Sequence, residues 1–152
     1  MISYVKNLLA SLTEDDIDPV SEQEKFNLAA AILLVEVMMA DHEVDPKEIE
    51  QVTRVLQEEF AITPSKSQFL YEQAREQHEE LVSLQALTSV INSKKDQNLK
   101  RRVIFCMWSI ALADGVKDKY EEHLIRKVAD LLYVSHTDFI KARHEAETRY
   151  TN

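Results

Sequence analysis

An all-helical bundle is the fold class predicted by three features of this sequence: a near absence of turn-forming residues, two segments apolar almost all the way round, and flanking amphipathic segments. One Gly and three Pro in 152 residues leave little of the chemistry that hairpins and phosphate-cradling loops require. Abundant Leu, Ala, Glu, Gln and Lys lose little side-chain freedom in a helix. The segments "LAAAILLVEVMMA" and "VIFCMWSIALA" have no polar face and must be surrounded by other helices.

Taken in order, helices are expected at 2–12, 21–40, 46–60, 65–79, 80–92, 97–113, 119–132 and 136–148, a bundle of seven to eight. The first, "MISYVKNLLASL", is amphipathic and is stopped by the acidic connection "TEDDIDPVS", with Ser21 as N-cap of the second. The second and sixth form the centre. In the third, Ile49, Val52, Leu56 and Phe60 recur at three- and four-residue intervals, and in the seventh Leu124, Val128, Leu131 and Leu132 do much the same. Thr63 is the expected cap of the fourth, with Pro64 near its start, where Pro is tolerated. A length of 152 residues suits one domain over residues 1–152.

The exits of the two central helices read as an internal duplication. "MMADHEVDPKEIEQVTRVLQEEF" and "IALADGVKDKYEEHLIRKVADLLY" share Ala-Asp at the helix end, an acid four positions after that Asp and Glu seven positions after it. Asp41, Asp45 and Glu48 thereby correspond to Asp114, Asp118 and Glu121, and Val52, Val55 and Phe60 to Ile125, Val128 and Tyr133. The first repeat spans about 22–80 and the second about 96–148, with 1–20 forming an N-terminal helix and connection.

Charge and cysteine use exclude several function classes. A net charge of −9, from 27 acidic and 18 basic side chains, opposes attraction to phosphate backbones, so no nucleic-acid partner is expected. The first residues lack the apolar run and cleavage site of a secretory signal, and the mature chain is expected to begin at Met1. Cys106 is the single cysteine and cannot staple the fold. The longest apolar stretch, Leu28 to Ala40, is interrupted by Glu36 and is shorter than the roughly 20 residues of a membrane span. A cytoplasmic protein without direct membrane insertion is expected.

Asp45-Pro46-Lys47-Glu48 and Asp118-Lys119-Tyr120-Glu121 both have the capping-box form. Asp41 and Asp114 sit at helix carboxyl ends, where the macrodipole disfavours a carboxylate; loop amides, a cation or plain solvation would each compensate. An EF-hand is rejected, because Pro46 and Val52 stand where its central Gly and closing Glu belong. None of the five His follows a Glu by three positions, against a di-iron bundle. Nucleophile motifs, dinucleotide fingerprints and Cys/His zinc spacings are missing too, so neither catalysis nor an organic cofactor is expected. Glu36 inside the most apolar helix must be paired, protonated or at the rim. Cys106, Phe105 and Trp108 read as core, and the run Glu72, Glu76, Glu79, Glu80 with Arg75 as a solvated face.

Ala113-Asp114-Gly115 ending an apolar helix, Glu121 in the next helix start, the opening "KKDQ" at Lys94 to Gln97 and the weaker upstream copy resemble the tellurite-resistance TerB family. The N-terminal helical region of some membrane-anchored J-domain co-chaperones looks similar. The resemblance covers about residues 22–148. It implies a bundle with a pseudo-twofold axis, a non-enzymatic role in bacterial stress responses beside membrane-linked protein partners, and loop acids that bind a divalent metal. Carried over, those acids are Asp41, Glu48, Asp114 and Glu121, with Asp45 and Asp118 as additional ligands. All are oxygen donors, which suit Ca²⁺, Mg²⁺ or Mn²⁺. His42 stands where the second copy has Gly115, so the two loops are not identical. The alternative reading is a protein-interaction adaptor whose loop acids act as helix caps alone.

Overall fold

The computed structural model describes residues 19–40, 44–78, 83–113 and 119–150. They form seven helices: α1 (Pro19–Met39), α2 (Pro46–Phe60), α3 (Pro64–His78), α4 (Leu84–Asn92), α5 (Gln97–Ala111), α6 (Lys119–Leu131) and α7 (His136–Tyr150). No strand occurs among the described residues, so the all-α class is observed. The helix expected at 2–12 lies outside them.

The two apolar segments are the centre of the bundle. From Leu28 to Val35, and again at Val37 and Met38, α1 is at most 1% exposed. On α5 every residue from Val103 to Ala111 is buried. Around α1 pack α2, α3, α4, α5 and α6, and around α5 pack α1, α2, α6 and α7. The amphipathic stripes face this pair: Val52, Val55 and Leu56 of α2 and Ile125 and Val128 of α6 are fully buried. One continuous apolar cluster runs from Phe26 to Ala146. Glu36 stands half-buried at its rim and has a partner there. No helix among the described residues is long and apolar enough to cross a membrane.

Several expected boundaries are corrected, among them two helix starts and one helix end. Ser21 is not the cap of α1, because it lies within the helix, which already includes Pro19 where the described residues begin. The helix expected from residue 80 begins at Leu84. There the Ser83 side chain accepts from the Gln85 N–H at 3.1 Å. The helix expected to reach 113 ends at Ala111. Its last turn tightens, with the Ala113 N–H donating to the Ile110 carbonyl at 3.2 Å. Thr63 caps α3 as expected, its hydroxyl accepting from the Lys66 N–H at 3.3 Å.

With so little glycine, three other residues among those described carry positive φ in the turns: Ala61 (53°), Lys95 (53°) and Tyr133 (60°). Ala61 closes α2, and the following Ile62 N–H returns to the Leu56 carbonyl at 3.2 Å, a left-handed helix stop usually made by Gly. Arg143 of α7 reaches Glu122 of α6 at 3.6 Å and, within its own helix, Glu147 at 2.9 Å, while lying 5.1 Å over the Trp108 ring of α5.

Candidate functional site

The loop acids are placed by the starts of α2 and α6. At α2, Asp45 is extended (φ −88°, ψ 134°) and its carboxylate accepts from the Lys47 N–H at 2.8 Å. The Glu48 carboxylate turns back and accepts from the Asp45 N–H at 3.3 Å. This is the expected capping box, and it satisfies amide donors that the helix cannot. The structure goes further, because Glu48 is 1% exposed. Its position explains the burial: Glu48 precedes Val52 by four residues and Val55 by seven, so it occupies the first place of the inward stripe.

Glu121 repeats this placement on α6. It precedes Ile125 by four and Val128 by seven, lies in the first turn and is also 1% exposed. A carboxylate withdrawn from water is costly without partners. Both side chains have them, and the positive end of a helix favours an anion there. The two buried glutamates are therefore structural members of the core edge as well as candidate ligands. Their burial was legible in the sequence as an acid heading an apolar stripe, a signal that the capping pattern hides.

Of the acids expected as ligands in the two halves, the structure brings Asp45 and Glu48 together and buries Glu121 in the first turn of α6. Asp41, Asp114 and Asp118 lie outside the described residues. Among the described residues, no three His, Cys, Asp or Glu side chains gather as a ligand set. A cation approaching Glu48 would meet a carboxylate whose Oε1 already accepts the Asp45 N–H.

Other candidates resolve as core or surface. Phe105 and Trp108 are 4% and 2% exposed, with Trp108 tilted against Phe139 at a centroid distance of 5.7 Å. Burial pushes the Cys106 thiol well up, and the nearby negative charge of Glu59 adds to this. A thiol held protonated is a poor nucleophile. Glu72, Glu76 and Arg75 are exposed, as the solvated-face reading expects; Glu79 and Glu80 lie outside the described residues.

Comparison with known proteins adds the family. No curated protein and no solved structure gives a significant match. A family model described as tellurite resistance protein TerB matches residues 27–144, a span that runs from α1 into α7 and includes both acidic loops. Most of the chain is covered, and the protein belongs to the TerB family of tellurite resistance proteins.

Proposed function

We propose that this protein is a non-enzymatic, cytoplasmic accessory of a bacterial stress response, binding a divalent cation through the acidic loops that precede α2 and α6. The observation that carries the reading is the pair of glutamates, Glu48 and Glu121, each 1% exposed in the first turn of its helix. Membership of the TerB family supplies the physiological setting. In this reading the chain is an internal duplication, and each half offers one site: Asp41 and Glu48 in the first, Asp114 and Glu121 in the second. Asp45 and Asp118 are the additional ligands of this reading. Oxygen donors select Ca²⁺, Mg²⁺ or Mn²⁺ over softer metals. Two or three carboxylates on a short loop leave water to complete the shell, so a weak dissociation constant, roughly 10⁻⁵ to 10⁻³ M, follows.

One observation favours a second reading. The Asp45–Glu48 box employs two of the acids as caps, as a helical adaptor for protein partners would, some of them membrane-associated. Metal titration separates the two. Calorimetry and thermal shift with Ca²⁺, Mg²⁺ and Mn²⁺ are run on the wild type and on Asp41→Asn/Asp114→Asn, which leaves the buried glutamates untouched. The metal reading expects heat and a higher melting temperature in the wild type, both lost in the double variant, because a ligand that binds the native state alone stabilises it. No response at millimolar metal, or an equal response in the variant, leaves the adaptor reading standing.

A further inference from the structure

Helix α7 is held differently from the rest of the bundle. Among the described helices it alone packs along a single neighbour, α5, whereas each of the others packs along two or more. Its buried side chains, among those described, are Phe139, Ala142 and Ala146, a stripe with one residue larger than Ala. Every other described helix buries at least two larger apolar side chains, and apolar surface removed from water is the main gain of a packed helix. Beyond α5, α7 reaches its neighbours through ion pairs, Arg149 with Glu59 of α2 at 2.7 Å and Arg143 with Glu122 of α6 at 3.6 Å. Water reaches both, at an Arg149 side chain 54% exposed and a Glu122 side chain 35% exposed, and pairs in contact with solvent contribute little.

Two features of the closed arrangement oppose it. Tyr133, in the turn that joins α6 to α7, has φ 60°, a left-handed conformation unfavourable for a residue with a Cβ. Under α7 lies Trp108, the single tryptophan of the chain, with Phe139 against it at 5.7 Å and Arg143 over its ring at 5.1 Å. Its indole N–H is buried without an acceptor, a donor taken from water and left unpaired. Movement of α7 away from α5 relieves both, since the turn is freed and the indole meets water. Among the described residues, the turn at 132–135 is the one covalent link between α7 and the other helices.

We propose that α7 is a strap that opens as one unit about residues 132–135 while α1 to α6 stay folded, uncovering the aromatic face of α5 formed by Phe105 and Trp108. In the closed chain these rings are 4% and 2% exposed, with Arg149 of α7 lying 5.5 Å over Phe105. The open state is a minor one, so thermal unfolding still runs as one transition. The inference is independent of the metal and adaptor readings, because it concerns neither the loop acids nor a partner.

Hydrogen exchange of the full chain, followed by NMR where rates report opening equilibria, tests it. The amides of residues 139–146 and the Trp108 indole N–H should share one protection factor, at least about tenfold below that of the α1 amides at 28–38. Low concentrations of urea should lower it with a shallower slope than that of α1, because less surface is exposed. Ile32→Val, at a fully buried position of α1, should lower the protection of α1 about two- to tenfold. It should leave α7 and the indole unchanged, since the packing of Ile32 persists in the open state. Equal protection in α7 and α1, equal urea slopes, or an equal effect of Ile32→Val on both would overturn the proposal. So would release of residues 146 to 139 in order with the indole still protected, which is fraying from the carboxyl end rather than opening as a unit.

Discussion

Glu48 shows how one side chain can serve a helix start and a core at once. Its carboxylate accepts the Asp45 N–H while the residue is withdrawn from solvent. Glu48→Ala removes both the box and packed volume, so a loss of about 1–2 kcal/mol is expected. Glu48→Gln keeps the shape and one acceptor and should lose less. Urea unfolding of the two variants decides this, and an alanine variant as stable as the wild type would show that the buried carboxylate contributes nothing. Cys106 gives a second residue-scale prediction. With its thiol pushed up by burial, the folded chain should resist a thiol-specific reagent that labels the unfolded chain at once. Above about pH 8.5, the ordinary thiol value, the unfolded state releases a proton that the folded state keeps. Stability should therefore be flat in this group below that pH and fall as pH rises past it; a rise would contradict the assignment. The sequence shows both glutamates heading apolar stripes and Cys106 inside an apolar run. It does not show Glu59 meeting Arg149, because those residues are 90 positions apart.

At the scale of elements, several helix starts were legible from their caps. Capping side chains act within two or three residues, so Asp45 and Thr63 announce α2 and α3 locally. Asp96 does so for α5, accepting from the Asn98 N–H at 3.0 Å and the Leu99 N–H at 3.3 Å. Stops depend on where the chain must leave its helix to reach the next packing position. In a sequence with one Gly, Ala61 and Tyr133 adopt left-handed conformations for that purpose. Such a conformation disfavours any residue with a Cβ. Ala61→Gly should therefore stabilise the protein by about 0.5–1 kcal/mol, raising the melting temperature by roughly 1–4 °C for a chain of this size. A lower melting temperature would show that the extra freedom of Gly in the unfolded chain outweighs the relief.

For the whole molecule, α1 and α5 pack on one another and draw helices from both ends of the chain into one apolar cluster. Helix α2 of the first half packs on α5, and α6 of the second packs on α1. Neither half can bury its stripe alone. Fragments 1–80 and 96–152 made separately should lack a cooperative thermal transition, whereas the intact chain should unfold in one. A fragment melting cooperatively by calorimetry would argue instead for two independent units.

The all-helical class, the two central helices and the inward stripes were set by sequence alone, because periodicity and glycine content act through local backbone preference and simple burial. The tertiary structure decided what distant segments do together. It set the depth to which Glu48 and Glu121 are withdrawn from water and gathered Glu59, Arg102 and Arg149 around one cleft. Those outcomes depend on how helices pack across the bundle, and no local pattern of residues encodes a contact between side chains that the chain brings together only when its core closes.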